Sequence, residues 1–330
     1  MRRFGFTSSL SLLAALVLAA TVSSASCLGQ KSSARKLVFP SQVSLGRLYV
    51  YQDLYNPRFF PNSKKIAESL GRFAGEAKGA VQVKVPQSGV VYLIGSYQLA
   101  EKPEVLSTLE PNTVDCLSFA GAGIMAEMKT AIKPLSHLTG LRYLELSMAE
   151  LTDDSLVDLK TLVNLERLNL FMAGINGTCF RQLGTLRKLH TLELTSNMLD
   201  PKAFGYISKL QSLENLHLSR CGVKDGDLIE IAKLPKLKFL VLSQNLITAK
   251  SLTQIAKIKT LRFLTLTNTK LSTRDLLILK GTQLSTINLP EVNYSAQDMA
   301  LLRAAMPHTK LITHSTAVGD YEKTLYGPLH

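Results

Sequence analysis

The feature that most constrains this chain is a pattern, Leu-x-x-Leu-x-Leu, that returns every 24 residues. It stands at Leu141-Leu144-Leu146, Leu165-Leu168-Leu170, Leu189-Leu192-Leu194, Leu213-Leu216-Leu218, Leu237-Leu240-Leu242 and Leu261-Leu264-Leu266. A one-residue deletion gives Leu284-Ile287-Leu289, and a degraded copy follows at Leu311. A degenerate copy, Val114-Leu117-Phe119, precedes the series by one stretched repeat. A fixed period of this length means that one small unit is stacked on copies of itself, because a single unit cannot bury its apolar face alone.

Each unit can be read physically. The x-Leu-x-Leu-x stretch alternates at period two, which predicts a short strand with two leucines inward and three residues outward. Three residues past the second strand leucine stands the column Ala149, Ala173, Asn197, Cys221, Asn245, Thr269 and Val292. The asparagines there are placed to bond backbone groups of adjacent coils. An apolar column follows at Leu151, Ile175, Leu199, Val223, Ile247, Leu271 and Tyr294. Next come Thr152, Asn176, Asp200, Lys224, Thr248, Ser272 and Ser295. All but Lys224 are good helix N-caps, so a helix is expected directly after each. Pro201 then falls at a first helical position, where its missing N–H costs nothing. Leu156-Leu159-Leu162, with equivalents at Phe180, Phe204, Leu228 and Leu252, gives each helix one apolar stripe to lay against the strands.

With these columns the chain resembles the leucine-rich-repeat family, in its helix-backed, ribonuclease-inhibitor-like class, over about residues 110 to 315. The Gly-x-Ile-Pro stretch of plant-receptor repeats is absent, and the repeats look more like those of bacterial exported leucine-rich-repeat proteins. The resemblance implies an α/β solenoid, a horseshoe with a concave parallel sheet and convex helices. It implies almost nothing about the ligand. The expected organisation is a signal peptide at 1–26, a small β-rich N-terminal cap at 27–110, the solenoid at 111–315 and a tail at 316–330. Within the cap, Leu45 to Tyr51 reads as a strand and Asn56 to Lys65 has loop composition. Val81-Val83-Val85, a turn from Pro86 to Gly89, and Val91-Leu93 read as a hairpin. Covering the apolar end of the first coil is the expected job of this segment.

Arg2 and Arg3, an apolar run from Leu10 to Val22, and the small residues Ser23 to Ser26 have the layout of a secretory signal. The run is too short for a membrane span. Two processing routes fit. Cleavage at the small residues would release a soluble protein. Alternatively, Ser24-Ala25-Ser26-Cys27 resembles a bacterial lipoprotein signal, with Cys27 acylated, although Ser24 stands where such signals carry Leu or Val. Either route places the protein in the cell envelope or outside the cell. Cys27, Cys116, Cys179 and Cys221 lack metal-ligand spacing, and buried, thiol-bearing core positions are the expectation.

No Gly-rich phosphate loop, His-Glu-x-x-His or Gly-x-Ser-x-Gly occurs, so the expectation is a chain without catalysis, cofactor or metal. The nearest approach to a constellation is His190 beside Glu214 and Glu193 beside His217, on adjacent coils. His190 precedes its strand while Glu193 points outward from one, so these four are expected to be cross-strand charge partners. No histidine occurs between residues 32 and 110, which disfavours a hydrolase there.

Binding is the better reading. The first outward column is Tyr143, Arg167, Thr191, Asn215, Phe239, Phe263 and Thr286. The second is Glu145, Asn169, Glu193, His217, Val241, Thr265 and Asn288, and the third is Ser147, Phe171, Thr195, Ser219, Ser243, Thr267 and Pro290. Phe239, Phe263 and Val241 are expected to form an exposed apolar patch flanked by Lys238 and Arg262, with Phe171 and Tyr143 on the same face. That is the composition of a protein-interaction hot spot. The formal net charge is +13, and Lys233 to Lys280 holds ten Lys or Arg against the single acid Asp275. The expected partner is a protein on the concave face. The alternative is an envelope-associated structural or glycan-binding lipoprotein, held to an anionic surface by this basic band. Export and the lack of interleaved aromatics disfavour nucleic acid. Membrane contact would come only through a lipid anchor.

Overall fold

The computed structural model describes residues 32–52, 54, 71–119 and 132–313. The signal segment, Cys27, the stretch from Asn56 to Lys65 and the tail from Thr316 lie outside them.

The leucine pattern folds as its period dictates. The strands β6 (Cys116–Ser118), β7 (Tyr143–Glu145), β8 (Arg167–Asn169), β9 (Thr191–Glu193) and β10 (Asn215–His217) are followed by β11 (Phe239–Val241), β12 (Phe263–Thr265), β13 (Thr286–Asn288) and β14 (Lys310–Ile312). They pair in sequence order and in parallel. The register places Leu168, Leu192, Leu216, Leu240 and Leu264 in one file, all essentially inaccessible to water. Burying each contributes roughly 1.5–3 kcal/mol relative to exposure, so trimming one to Ala would be felt by both neighbouring coils.

The turn after each strand has its own repeating feature. Met148, Met172, Ser196, Arg220, Gln244 and Asn268 all carry φ between 48 and 63°. That left-handed conformation costs a non-glycine residue about 1–2 kcal/mol. It is held because the N–H at five of these positions bonds the next coil: Met148 to the Phe171 carbonyl, Met172 to Thr195, Ser196 to Ser219, Arg220 to Ser243 and Gln244 to Thr267. The following column closes the coil. Asn245 Nδ2 donates to the Leu218 and Leu242 carbonyls at 2.7 and 3.0 Å, while its Oδ1 accepts from the Cys221 and Val223 N–H groups. Asn197 does the same work two coils earlier, donating to Leu170 and Leu194 and accepting from Ile175.

The convex side mixes short α-helices with 3-10 turns. Helix α1 (Tyr97–Glu101), α2 (Ile132–Leu135) and a 3-10 helix at Asp154–Thr161 back the early coils. Then come α3 (Pro201–Ile207), α4 (Asp227–Ile231), α5 (Ala249–Ile255), α6 (Thr273–Leu276) and α7 (Ala296–Ala305). Asp200, Thr248, Ser272 and Ser295 cap the helices that follow them, the last two in reciprocal capping boxes with Asp275 and Asp298. After Lys224 the helix starts only at Asp227, whose carboxylate accepts the Lys224 N–H. Two acids stitch neighbouring coils: Asp153 accepts from the N–H groups of Asn176 and Cys179, and Asp225 accepts from Thr248 and Ser251.

Upstream, β1 (Ser32–Val38) pairs antiparallel with β4 (Ala80–Pro86), and β2 (Gly46–Tyr51) with β3 (Arg72–Glu76). The expected hairpin is corrected here. The Pro86 carbonyl does accept the Gly89 N–H, but β5 (Val90–Gly95) leaves β4 and enters the main sheet between β2 and β6. Burial explains the divergence. Strand β4 buries one face only, whereas β5 is apolar and buried along nearly its whole length, as a central strand must be. Strand β5 is parallel to β6 with Leu93 opposite Leu117, so the ladder begins one coil before the leucine series announces itself. Arg35 ties the cap to this coil through Asp115 at 2.6 Å and the Asn112 carbonyl.

Candidate binding face

The outward columns stand on the sheet face opposite the leucine core. The middle column, Glu145, Asn169, Glu193, His217, Val241, Thr265 and Asn288, is buried throughout. The flanking columns are half-open at Arg167, Thr191, Asn215, Phe263 and Thr286 on one side, and at Ser147, Phe171, Thr195 and Thr267 on the other.

The expected patch assembles but is not exposed. Phe239 lies opposite Phe263 in the ladder, their rings stacked with centroids 5.5 Å apart, and His217 stacks on the other face of Phe239 at 5.6 Å. Phe239 is 4% exposed and Val241 is inaccessible, so of the three apolar members Phe263 alone reaches the half-open class. The reason is the coil spacing: strand neighbours stand ~4.8 Å apart, which leaves no gap between stacked rings. Period-two alternation gives the face and says nothing of the crowding on it. Lys238 is exposed and paired with Glu214 at 2.9 Å. Arg262 is turned back onto the Lys259 and Leu261 carbonyls. Tyr143 is buried and Phe171 half-open.

The four-residue constellation does not form. His217 Nδ1 lies 2.7 Å from Glu193, but His190 Nε2 faces Glu166 of the preceding coil at 3.4 Å and Glu214 takes Lys238. Among the described residues no group of three or more His, Cys, Asp or Glu is gathered as a metal would need. Cys116, Cys179 and Cys221 are free thiols and buried. Burial pushes all three pKa values up, that of Cys221 to about 12.

A second cluster on this face was not anticipated. Tyr92 of β5 lies in register with Cys116 and, through it, Tyr143, and the two tyrosine rings stack at 6.0 Å. Tyr51 meets Tyr92 edge-on, and Leu54 and Val90 complete an apolar pocket around them. In its midst Glu145 is buried, accepting from Ser118 Oγ at 2.9 Å, Ser147 Oγ at 3.1 Å, Tyr143 OH at 3.3 Å, Tyr92 OH at 3.4 Å and Asn169 Nδ2 at 3.4 Å. Burial raises the Glu145 pKa, and the hydroxyl donors pull it back in part. The signal for this cluster was in the chain: Val90 and Leu93 precede Val114 and Leu117 by the same 24 residues.

No family model matches the chain, and no curated protein does. Solved structures do. An internalin (inlF) from Listeria monocytogenes is 18% identical, with 65% of this chain and 71% of that chain covered and a TM-score of 0.46. Internalin C2 (inlC2) from the same organism is 21% identical, over 59% and 80% of the two chains, with a TM-score of 0.43. The plant peptide hormone receptor RGFR1, solved in complex with RGF2, is 17% identical over 62% and 35%, with a TM-score of 0.36. By its own repeat and by the parallel register that files the leucines into one ladder, the chain is a leucine-rich-repeat solenoid.

Proposed function

We propose that this chain is a non-catalytic binding module that engages a protein partner with the concave face of its sheet. One observation carries the reading: the middle column is closed along its whole length, while nine of the fourteen flanking positions remain half-open. Asn169 reaches Glu145, Glu193 faces His217, and Asn288 reaches Thr265, so the floor is ordered before any partner arrives. A surface fixed in advance spends little ordering entropy on association. The side chains offered are Arg167, Thr191, Asn215 and Phe263 along one wall, and Phe171, Thr195 and Thr267 along the other. Phe263 and Phe171 are the apolar anchors, and buried Phe239 supports Phe263 by stacking on it from the adjacent strand. The secretory layout of the first residues supports a partner outside the cytoplasm, with Cys27 as the lipid-anchor position if that route is used. Among the described residues no helix is long and apolar enough to cross a membrane.

The test is photo-crosslinking. A benzophenone side chain is placed at Phe263, at Phe171, and at exposed Thr253 on convex helix α5. The expected result is one protein adduct shared by the two concave positions and absent from Thr253. Equal adducts from all three positions, or none from the concave pair, overturn the concave-face reading.

A further inference from the structure

Seven of the ten basic residues between Lys233 and Lys280 gather on one edge of the solenoid; Lys250, Lys270 and Arg274 lie elsewhere. The turns that lead from helix into strand for β9 to β13 carry Arg187, Lys188, Lys209, Lys233, Lys236, Lys238, Lys257, Lys259, Arg262 and Lys280. Lys209, Lys233 and Lys257 occupy the same place in successive coils, 24 residues apart, and Lys280 follows in the next turn. All four are exposed. Coils stack at ~4.8 Å, so this file runs roughly 14 Å along the solenoid axis. A second group lies nearer the strands, with Lys236 and Lys238 in one turn and Lys259 and Arg262 in the next.

Little on this edge neutralises them. Glu230 is taken by Lys233 and Glu214 by Lys238. Lys209 lies over the Tyr206 ring, Lys257 reaches Gln254 and Lys188 reaches Asn164, none of them charged partners. Upstream the same edge is mixed and paired: Asp115, before β6, takes Arg35, and Glu166, before β8, takes Arg142, which stands before β7. The charge is therefore a local construction and not an even coat.

We propose that the helix-to-strand edge of the coils carrying β9 to β13 binds a linear polyanionic polysaccharide laid along the solenoid. The inference is independent of the concave-face reading. Cations arranged as a file, at least one per coil, match a one-dimensional polymer whose charges also recur along a line. A bilayer would be served by apolar side chains beside the lysines. Of the exposed large apolar residues in these coils, Met198 and Leu246 are on the opposite, strand-to-helix edge and Ile229 is on helix α4; Ile278, before Lys280, stands singly between helix and strand, so the lysine file has no apolar strip beside it. A nucleic acid would be served by aromatic side chains on which bases stack, and these turns hold none.

The test compares two variants of equal charge. In the first, Lys209, Lys236, Lys257 and Lys280 are each changed to Gln. In the second, exposed Lys202, Lys224, Lys250 and Lys270 on the opposite edge are changed to Gln. Binding to dextran sulfate, to vesicles of phosphatidylglycerol and phosphatidylcholine, and to a single-stranded oligonucleotide is measured with the folded protein, each variant first checked by circular dichroism. The expected result is that the parent binds dextran sulfate most tightly, that affinity falls steeply from about 50 to about 300 mM salt, and that the first variant loses about tenfold or more while the second stays close to the parent. Equal loss in both variants would reduce the effect to net charge and overturn the proposal. So would failure of the parent to bind dextran sulfate at low salt, or tighter binding to vesicles or oligonucleotide.

Discussion

The imidazole of His217 faces the carboxylate of Glu193 across adjacent strands at 2.7 Å, with only 3% and 10% of the two side chains exposed. The approach is close but His217 Nδ1 makes no aligned hydrogen bond, which limits what the pair can contribute. The two polar groups nonetheless share a closed column, so removing one takes away the other's cross-strand neighbour, although Glu193 still accepts the Thr195 N–H. His217→Ala and Glu193→Ala are each expected to lower stability by about 1–3 kcal/mol. The double variant should lose less than the sum, by about 0.5–1 kcal/mol. Urea midpoints for the four proteins decide it, and strict additivity would mean that the two side chains ignore one another.

Asn245 makes a stronger claim. Its amide satisfies donors and acceptors of two coils at once, all of them buried. Asn245→Ala strands those backbone groups without water and is expected to cost about 2–4 kcal/mol. Thr269 holds the equivalent position one coil later and bonds only the Leu266 carbonyl, so Thr269→Ala should cost distinctly less. Denaturation of the two variants side by side gives the comparison.

Glu145 makes stability depend on pH with an unusual sign for a carboxylate. Burial raises its pKa above the ordinary 4.5, so the native state holds this proton more tightly than the unfolded chain does. The contribution is fully present below the unfolded value and is lost as pH rises through the folded one. Glu145→Gln removes that titration while keeping an acceptor for the hydroxyls. The stability of the variant relative to the parent should therefore increase as pH rises from 4.5 towards neutrality. Urea titrations across that range test it, and a difference independent of pH would show the carboxylate ionising without penalty.

The three described cysteines should be chemically silent in the native protein. Burial holds each thiol protonated, and the thiolate is the reactive form. Iodoacetamide at neutral pH should label Cys116, Cys179 and Cys221 only as fast as the solenoid unfolds. Peptide mapping after timed exposure reads this directly, and prompt labelling of any of the three would contradict its burial.

Much of the fold could be read from the leucines alone, because a residue every 24 positions fixes which side chains meet in the next coil. Asn197 and Asn245 bonding across coils, and Asp200, Thr248, Ser272 and Ser295 capping helices, follow from chemistry that needs only neighbours in sequence or in register. Strand β5 was harder. Val91 and Leu93 also fit a hairpin with Val81 to Val85, and local alternation cannot say whether a strand will prefer its sequence neighbour or a place in the sheet interior. The candidate face was legible in position and not in accessibility. Phe239 and Phe263 share a register position, so the period alone puts their rings side by side, but their exposure depends on how neighbouring rings such as His217 pack against them, which no single-coil pattern contains. Glu145 was visible only as an outward acid; its ring of hydroxyl donors comes from strands β5, β6 and β7, far apart in the chain.

The change along the helix-to-strand edge, from Asp115 and Glu166 paired with Arg35 and Arg142 to the lysines at Lys236 and Lys259, also acts at a distance. Positive charge gathered toward one end of an extended body gives it an electric dipole about its centre, and the axis here follows the stacking direction of the coils. A field from any strongly charged object exerts a torque on such a body before contact, within roughly one Debye length, about 8 Å at physiological salt. Approaching an anionic surface, the solenoid would turn its later coils forward and trail its N-terminal cap. Orientation on arrival would thus be set by the order of the repeats along the chain.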